Sequence, residues 1–249
     1  MSPLGLQEQF WNQLAQNKTA LAVITREKLT ALLINSEIKS MELLPETTAS
    51  EVYKVALEGG QLAIWKPVPS AWKFRDPQHA VNFNHFREVV TYKIAVALGL
   101  SNIPVTIVRT VDGVSGSLQA FVKKDGTTYK DSSLHSLKIV DWFVGQFDRA
   151  PLCEGNCFAY QGQAVGIDNG FFHLIKSEEK IKFLQDIPLT RKDQDLIEKL
   201  EKVLTKKTLT KMTQGFLNQA DCDHLQESRD LLLAHLKSER SKRVKPSTK

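Results

Sequence analysis

The sequence predicts an α+β fold in two lobes, strand-rich first and helical afterwards, and three patterns carry that expectation. Apolar and polar residues alternate over 51–66 around the turn signal Glu58-Gly59-Gly60, the mark of a β-hairpin. Residues 83–98 then carry Phe86, Val89, Val90, Ile94 and Leu98 as one apolar stripe at helical spacing. After Ser132 helical spacing dominates, broken by one short strand before the turn residues Asp168-Asn169-Gly170. A strand-rich lobe followed by a helical one leaves a groove between them, where ligand sites tend to lie.

The elements follow in order. Apolar residues at helical spacing place opening helices at 4–14 and 27–34. In the hairpin, Val52, Lys54 and Ala56 face one side and Tyr53, Val55 and Leu57 the other, and 61–66 is the return strand. Pro67 and Pro69 stop the ladder because proline has no N–H to donate. A loop rich in Trp72, Phe74, Pro77 and Phe83 leads to the helix 83–98, which Gly99 ends as its C-cap. Strands are expected at 105–108 and 116–122 with Asp112-Gly113 turning between them, then a helix at 137–147 and a strand at 163–167. Helices at 193–204 and 224–236 complete the chain, and no internal repeat is present. The expected divisions are a helical extension over 1–45, a strand-rich lobe over 46–122, a helical lobe over 123–237 and a basic flexible tail over 238–249.

Composition narrows the classes. A hydrophobic share of 42% with 24% charged residues is that of an ordinary globular protein, and apolar runs such as 94–100 are far too short to cross a bilayer. Met1-Ser2-Pro3 followed by Glu8 is not a signal peptide, and three cysteines do not make a disulfide framework. The expected place is a cytoplasm, the cell's own or that of a host after export. The net charge of +5 gathers in the terminal run 237–249, without interleaved aromatics, so nucleic acid is not the expected partner.

Four charged positions stand out. Lys66 closes a strand in Ala63-Ile64-Trp65-Lys66-Pro67, where a lysine is a point charge suited to phosphate oxygens. Glu88 lies mid-helix in Phe86-Arg87-Glu88-Val89-Val90 and can hold that ammonium or be one more solvated helix charge. Asp148-Arg149 follows an apolar helix, and Asp168-Asn169-Gly170 comes within twenty residues of it. Two carboxylates flanking a short hairpin can divide phosphoryl transfer, one orienting the nucleophile and one holding the metal, with Asn156 adding a neutral oxygen. Lysine on a strand, glutamate on the next helix, Asp-Arg, then Ile-Asp-Asn-Gly is the order of kinase-like folds.

The chain resembles the protein-kinase-like superfamily, in its phosphatidylinositol 3- and 4-kinase-related bacterial branch, with HipA-type and secretory-pathway kinases as distant relatives. The matching segments are AIWKP at 63–67, FREVVTYKIAVALGL at 86–100, IPVTIVR at 103–109, GSLQAFV at 116–122, DWFVGQFDR at 141–149 and VGIDNGF at 165–171. The resemblance spans roughly 47–175 and implies a bilobal fold using ATP with magnesium or manganese. It implies that Lys66 contacts the nucleotide phosphates, Glu88 pairs with Lys66, Asp148 is the catalytic aspartate and Asp168 with Asn156 holds the metal. Gln119, Phe121 and Val122 would belong to the hinge beside the adenine. Thr47, Thr48 and Ser50 would cover the phosphates where other kinases carry a glycine-rich loop.

The sequence also departs from that pattern. Cys153 stands where relatives carry a polar metal ligand, five positions after Asp148, and Asn156 comes only after the insertion 151–154. Ala150 stands where a histidine is frequent, and Glu154 is an alternative ligand. Three readings stay open: an atypical kinase acting on a protein hydroxyl, with a lipid headgroup as the second acceptor; a pseudokinase that binds nucleotide without transfer; and transfer of AMP or another group by the same fold. Cys153, Cys157, Cys222 and His224 lack zinc-site spacing, and His85 and His173 are expected to line the cleft or lie on the surface.

Overall fold

The computed structural model describes residues 9, 13, 19–45, 51–68, 85–146, 149, 156–170, 172, 177–185 and 193–244. One antiparallel sheet of five strands has the order β1-β2-β3-β5-β4. Its strands are β1 (Ile38–Leu43), β2 (Tyr53–Leu57), β3 (Leu62–Pro67), β4 (Thr106–Val111) and β5 (Val114–Ala120). Helix α1 (Thr19–Asn35) precedes the sheet and α2 (His85–Ala97) lies between β3 and β4 in sequence. The helical part holds α3 (Asp131–Val144), α4 (Ser177–Gln185), α5 (Gln194–Glu198) with a π-helical turn at Lys199–Val203, α6 (Lys206–Thr213) and α7 (Gln219–Val244). A hairpin of β6 (Cys157–Tyr160) and β7 (Gln163–Gly166) is set among these helices.

Alternation along the strands separates two faces of the sheet. Val55, Leu57, Ala63, Trp65, Leu118 and Ala120 form one buried apolar cluster, which Leu29 and Leu33 of α1 join. On the opposite face the register puts Lys66 across from Ser117 and Ile64 across from Gln119, so polar side chains gather there. Arg109 of β4 donates from Nη1 to the Leu33 carbonyl at 2.5 Å and from Nη2 to that of Ser36, satisfying the carbonyl end of α1. The β4–β5 turn places Asp112 and Gly113 at φ 50° and 80°, the left-handed pair of a tight hairpin whose twist matches its strands.

A second core fills the helical part. Val90 and Ile94 of α2, with Leu98 just after it, pack with Trp142, Phe143, Leu200, Leu225 and Leu232, so α2 is shared between the sheet and the helices. Asn102, in the loop after α2, donates to the Ser133 and Ala164 carbonyls at 3.0 and 2.7 Å and accepts from Gly166 N–H at 2.8 Å. That loop is thereby fixed to α3 and β7. Among the described residues no helix is long and apolar enough to cross a membrane.

The expected hairpin, the helix ending at Gly99, the Asp112-Gly113 turn and the strand before Asp168 are all present, while other expectations change. The sheet begins at Ile38 and not at residue 46: β1 pairs with β2 from the supposed helical extension. Five of its six residues are exposed, so no buried face imposed an alternation that could be read. Pro67 remains in the β3 ladder opposite Gly116, and Val68 still donates to Ser115. Even-numbered residues of β3 bond to β5, so the donor that proline lacks points toward β2, whose last pair with β3 is Tyr53–Trp65. Helix α3 starts at Asp131 and stops at Val144, since Gly145 takes φ 77° and caps it. Residues 238–244 continue α7 as helix; Lys237 of α7 pairs with Glu201 of the π-helical turn at 2.5 Å, and Lys242 with Glu239 along α7 at 2.7 Å. Of the expected helix 4–14 only Gln9 and Gln13 are described, both helical, and the loop with Trp72, Phe74, Pro77 and Phe83 lies outside the described residues.

Gly116 lies against β3 so closely that a Cβ there would collide with the Lys66 backbone carbonyl. Gly116→Ala must push apart two central strands and is expected to cost roughly 1–3 kcal/mol, measured as a lower urea midpoint with unchanged slope.

Candidate active site

Lys66 ends the buried side of β3, and its ammonium lies between two carboxylates from distant parts of the chain. Nζ donates to Glu88 Oε1 of α2 at 2.5 Å and to Asp168 Oδ1, two residues beyond β7, at 2.7 Å. Ser117 of β5 donates from Oγ to the other Glu88 oxygen at 3.3 Å. Glu88 is wholly buried, whereas the Asp168 carboxylate is 41% exposed and is therefore the cluster's open side. One cation between two anions leaves a net charge of −1, which favours a further cation at that opening.

The environment separates the two acids. Burial alone would lower Lys66, but the charges of Glu88 and Asp168 outweigh it and hold the ammonium above its ordinary range. Burial, helped by the like charge of Asp168, pushes Glu88 up against the pull of Lys66. Asp168 moves the other way: the penalty of its burial is overcome by the charge and hydrogen bond of Lys66, so it stays ionised. Glu88 is thus the anchor of the lysine, and Asp168 the persistent anion on the exposed side of the cluster.

Asp168 has φ 55°, a left-handed conformation uncommon outside glycine and tolerated best by Asn and Asp. Its neighbours hold it there. Gln146 Nε2 donates to the Asp168 carbonyl at 2.8 Å, and Arg149 Nη2 donates to Asn169 Oδ1. Arg149 Nη1 also reaches Asp141 Oδ1 of α3 at 3.1 Å. Buried Arg149 therefore ties the residue directly after Asp148 to the turn that carries Asp168. Its value was hidden in sequence because Asp-Arg looks like any charged pair; only the fold brings it against Asn169.

Asn156 accepts from Ile167 N–H through its backbone carbonyl at 2.9 Å, one step beyond the Cys157–Gly166 pair. This continues the β6–β7 hairpin and sets Asn156 across from the residue preceding Asp168. Gln119 is buried and donates to Thr106 Oγ1 at 3.0 Å. Phe121 is half-buried beneath the Lys54 ammonium, 5.7 Å from its ring centre, and Val122 packs with Tyr160 and Val165. The structure thus brings Lys66, Glu88 and Asp168 into one cluster, with Asn156 beside it in the backbone register. Thr47, Thr48, Ser50, Asp148, Ala150, Cys153, Glu154 and His173 lie outside the described residues. His85, expected at a cleft wall or surface, is buried at the start of α2, where burial and the nearby Lys66 charge hold its imidazole down to about 3. Among the described residues no group of three or more His, Cys, Asp or Glu could hold a metal ion.

The chain matches no protein-family model, and no curated protein matches it in sequence. Solved structures do match its fold. A Golgi casein kinase with Mn/ADP bound aligns at TM-score 0.59 and 14% identity, covering 88% of this chain and 77% of that one. A second Golgi casein kinase structure aligns at 0.58 and 13%, covering 88% and 76%. The hydra Fam20 structure with sugar aligns at 0.58 and 10%, covering 88% and 91%. The chain has a protein-kinase-like α+β fold. Its structural neighbours are kinases, and at these identities the likeness is one of architecture.

His224 of α7 gives the fold a readable pH dependence. Burial, then the Lys180 charge, lowers its imidazole to about 4 from the ordinary 6.5. A base depressed in the folded state stabilises fully above its unfolded value and loses that contribution as pH falls toward its folded one. The melting temperature should therefore fall between about pH 7 and pH 5, and His224→Gln should remove part of that dependence in thermal melts at the two values, buried His85 keeping the rest.

Proposed function

We propose that this protein is an ATP-dependent phosphotransferase that uses magnesium or manganese and transfers phosphate to a protein hydroxyl. The observation that carries the reading is the buried Lys66 ammonium held by Glu88 and Asp168, residues 22 and 102 positions away. A protein fold rarely gathers such charges at a groove without a use for them, since each ion loses its hydration there. The donor set fits a hard divalent cation: an ionised, open carboxylate at Asp168 and a neutral oxygen available from Asn156 close by in the hairpin. The net negative charge of the cluster fits it too. When bound, the metal would neutralise the phosphate oxygens and stabilise charge developing on them.

The chain's own residues divide the remaining work. Glu88 holds the Lys66 amine as an ammonium aimed along the sheet face, where it would pair with nucleotide phosphates. Asp148 would accept or orient the proton of the attacking hydroxyl, positioned through Arg149 and its bond to Asn169. Gln119, Phe121 and Val122 would border the base, and Thr47, Thr48 and Ser50 would cover the phosphates through N–H and hydroxyl donors. The lobes would meet near residues 122–123, where the sheet ends and the chain passes to α3. A protein acceptor is favoured by the neighbours, two of which are described as structures of a Golgi casein kinase. The narrower kinship with the phosphatidylinositol 3- and 4-kinase-related branch rests on the segments quoted above.

Purified protein with radiolabelled ATP and a generic protein acceptor should transfer label in the presence of magnesium or manganese. Lys66→Ala and Asp168→Ala should each lower that transfer by at least about a hundredfold, as loss of preorganised charge does. Label retained in both variants would remove the assignment.

A second reading, nucleotide binding without transfer, is favoured by Cys153 and Ala150 on the loop after Asp148. Thermal shift with ATP separates the two. The enzyme should be stabilised more with magnesium than without, and Asp168→Asn should erase that difference; stabilisation by ATP that ignores metal, with no label transferred, marks the non-catalytic protein.

A further inference from the structure

Helix α2 carries Glu88, and the residue just before it is committed elsewhere. Arg87 donates from Nη2 to Asp221 Oδ1 at 2.6 Å and from Nε to Asp221 Oδ2 at 3.1 Å. Both side chains are 1% exposed. The guanidinium also lies over the Phe172 ring, 5.0 Å from its centre, and Phe172 stacks in turn on His224 of α7 at 6.5 Å. Asp221 is fixed at the start of α7, its N–H donating to Asn218 Oδ1 at 2.8 Å.

Adjacent residues on a helix point about 100° apart, so α2 offers Glu88 to the sheet and Arg87 to the helical lobe at the same level. A forked, fully buried Arg–Asp pair is geometrically specific, and breaking it leaves an uncompensated charge in the interior. Phe172 adds a tether to the segment that follows Asp168. Residues 169–176 separate Asp168 from the start of α4 at Ser177. In kinases of the regulated kind the lysine–glutamate pair is made or broken by moving this helix.

We propose that the Arg87–Asp221 pair is a fixed latch that holds α2 against the helical lobe, so that Glu88 stays on Lys66 and the site is assembled in the resting chain without an activating modification or partner. Arg87 and Asp221 are positioning residues, acting through Glu88. The kinetic consequence rests on the phosphotransferase reading; the structural consequence does not.

Hydrogen exchange and ATP turnover test it together on the full chain. Arg87→Met and Asp221→Asn should speed exchange of the amides of 85–97 by about a hundredfold relative to those of α3, the size expected for a broken buried pair. In the folded variants kcat should fall about a hundredfold, because displaced catalytic geometry costs that much. Arg87→Lys, which keeps the charge and loses the fork, should recover only part of both. Leu57→Ala, an apolar core truncation in β2 outside the cluster that α2 shares with α7, is the control; it lowers the melting temperature but should leave α2 exchange relative to α3, and kcat, at wild-type values. If Arg87→Met fails to fold, the near-isosteric Asp221→Asn carries the test. Wild-type α2 exchange in Asp221→Asn, or equal acceleration in Leu57→Ala, overturns the latch. A wild-type chain that transfers no phosphate removes the enzymatic reading, and the exchange result still decides the latch.

Discussion

An ammonium that has left water must be compensated by charges fixed close to it, and the Lys66 ammonium is compensated twice. That requirement constrains much of the molecule. It sets the register of β3 against β5, since Lys66 and Ser117 must face the same side as Glu88. It sets the orientation of α2, which has to present Glu88 without exposing it. It also sets the backbone of Asp168, whose left-handed conformation turns a carboxylate back toward a lysine 102 positions earlier in the chain.

The two carboxylates around the ammonium are not equivalent, and the difference is one of environment. Glu88 is enclosed and its ionisation is opposed by burial, so its charge exists because Lys66 is there. Asp168 is partly exposed and remains an anion. A single fold thereby supplies an enclosed counter-ion and an exposed carboxylate around one ammonium.

Behind this front, arginines fix what the acids do. Arg149 joins Asp141 on α3 to Asn169, and Arg87 joins α2 to Asp221 and Phe172. Both are buried, and Arg87 makes a two-pronged pair with Asp221. These polar links add to apolar packing, since Val90 and Ile94 of α2 share a core cluster with Leu225 and Leu232 of α7.

Local periodicity was enough to find the β2–β3 hairpin, the α2 stripe closed by Gly99, the Asp112-Gly113 turn and the strand before Asp168, because each is written in neighbouring residues. Strand β1 was missed because its side chains are exposed and carry no alternation, and α7 was cut short because a basic run looks the same whether it is helical or frayed. The choice of Lys66, Glu88 and Asp168 came from residue types in a known order. Their meeting, and the parts played by Arg149, Asn169, Arg87 and Asp221, came from tertiary structure alone. The reason is physical: a strand or helix depends on contacts a few residues apart, whereas a buried ion pair depends on separations of 22, 102 and 134 positions that only the completed fold closes.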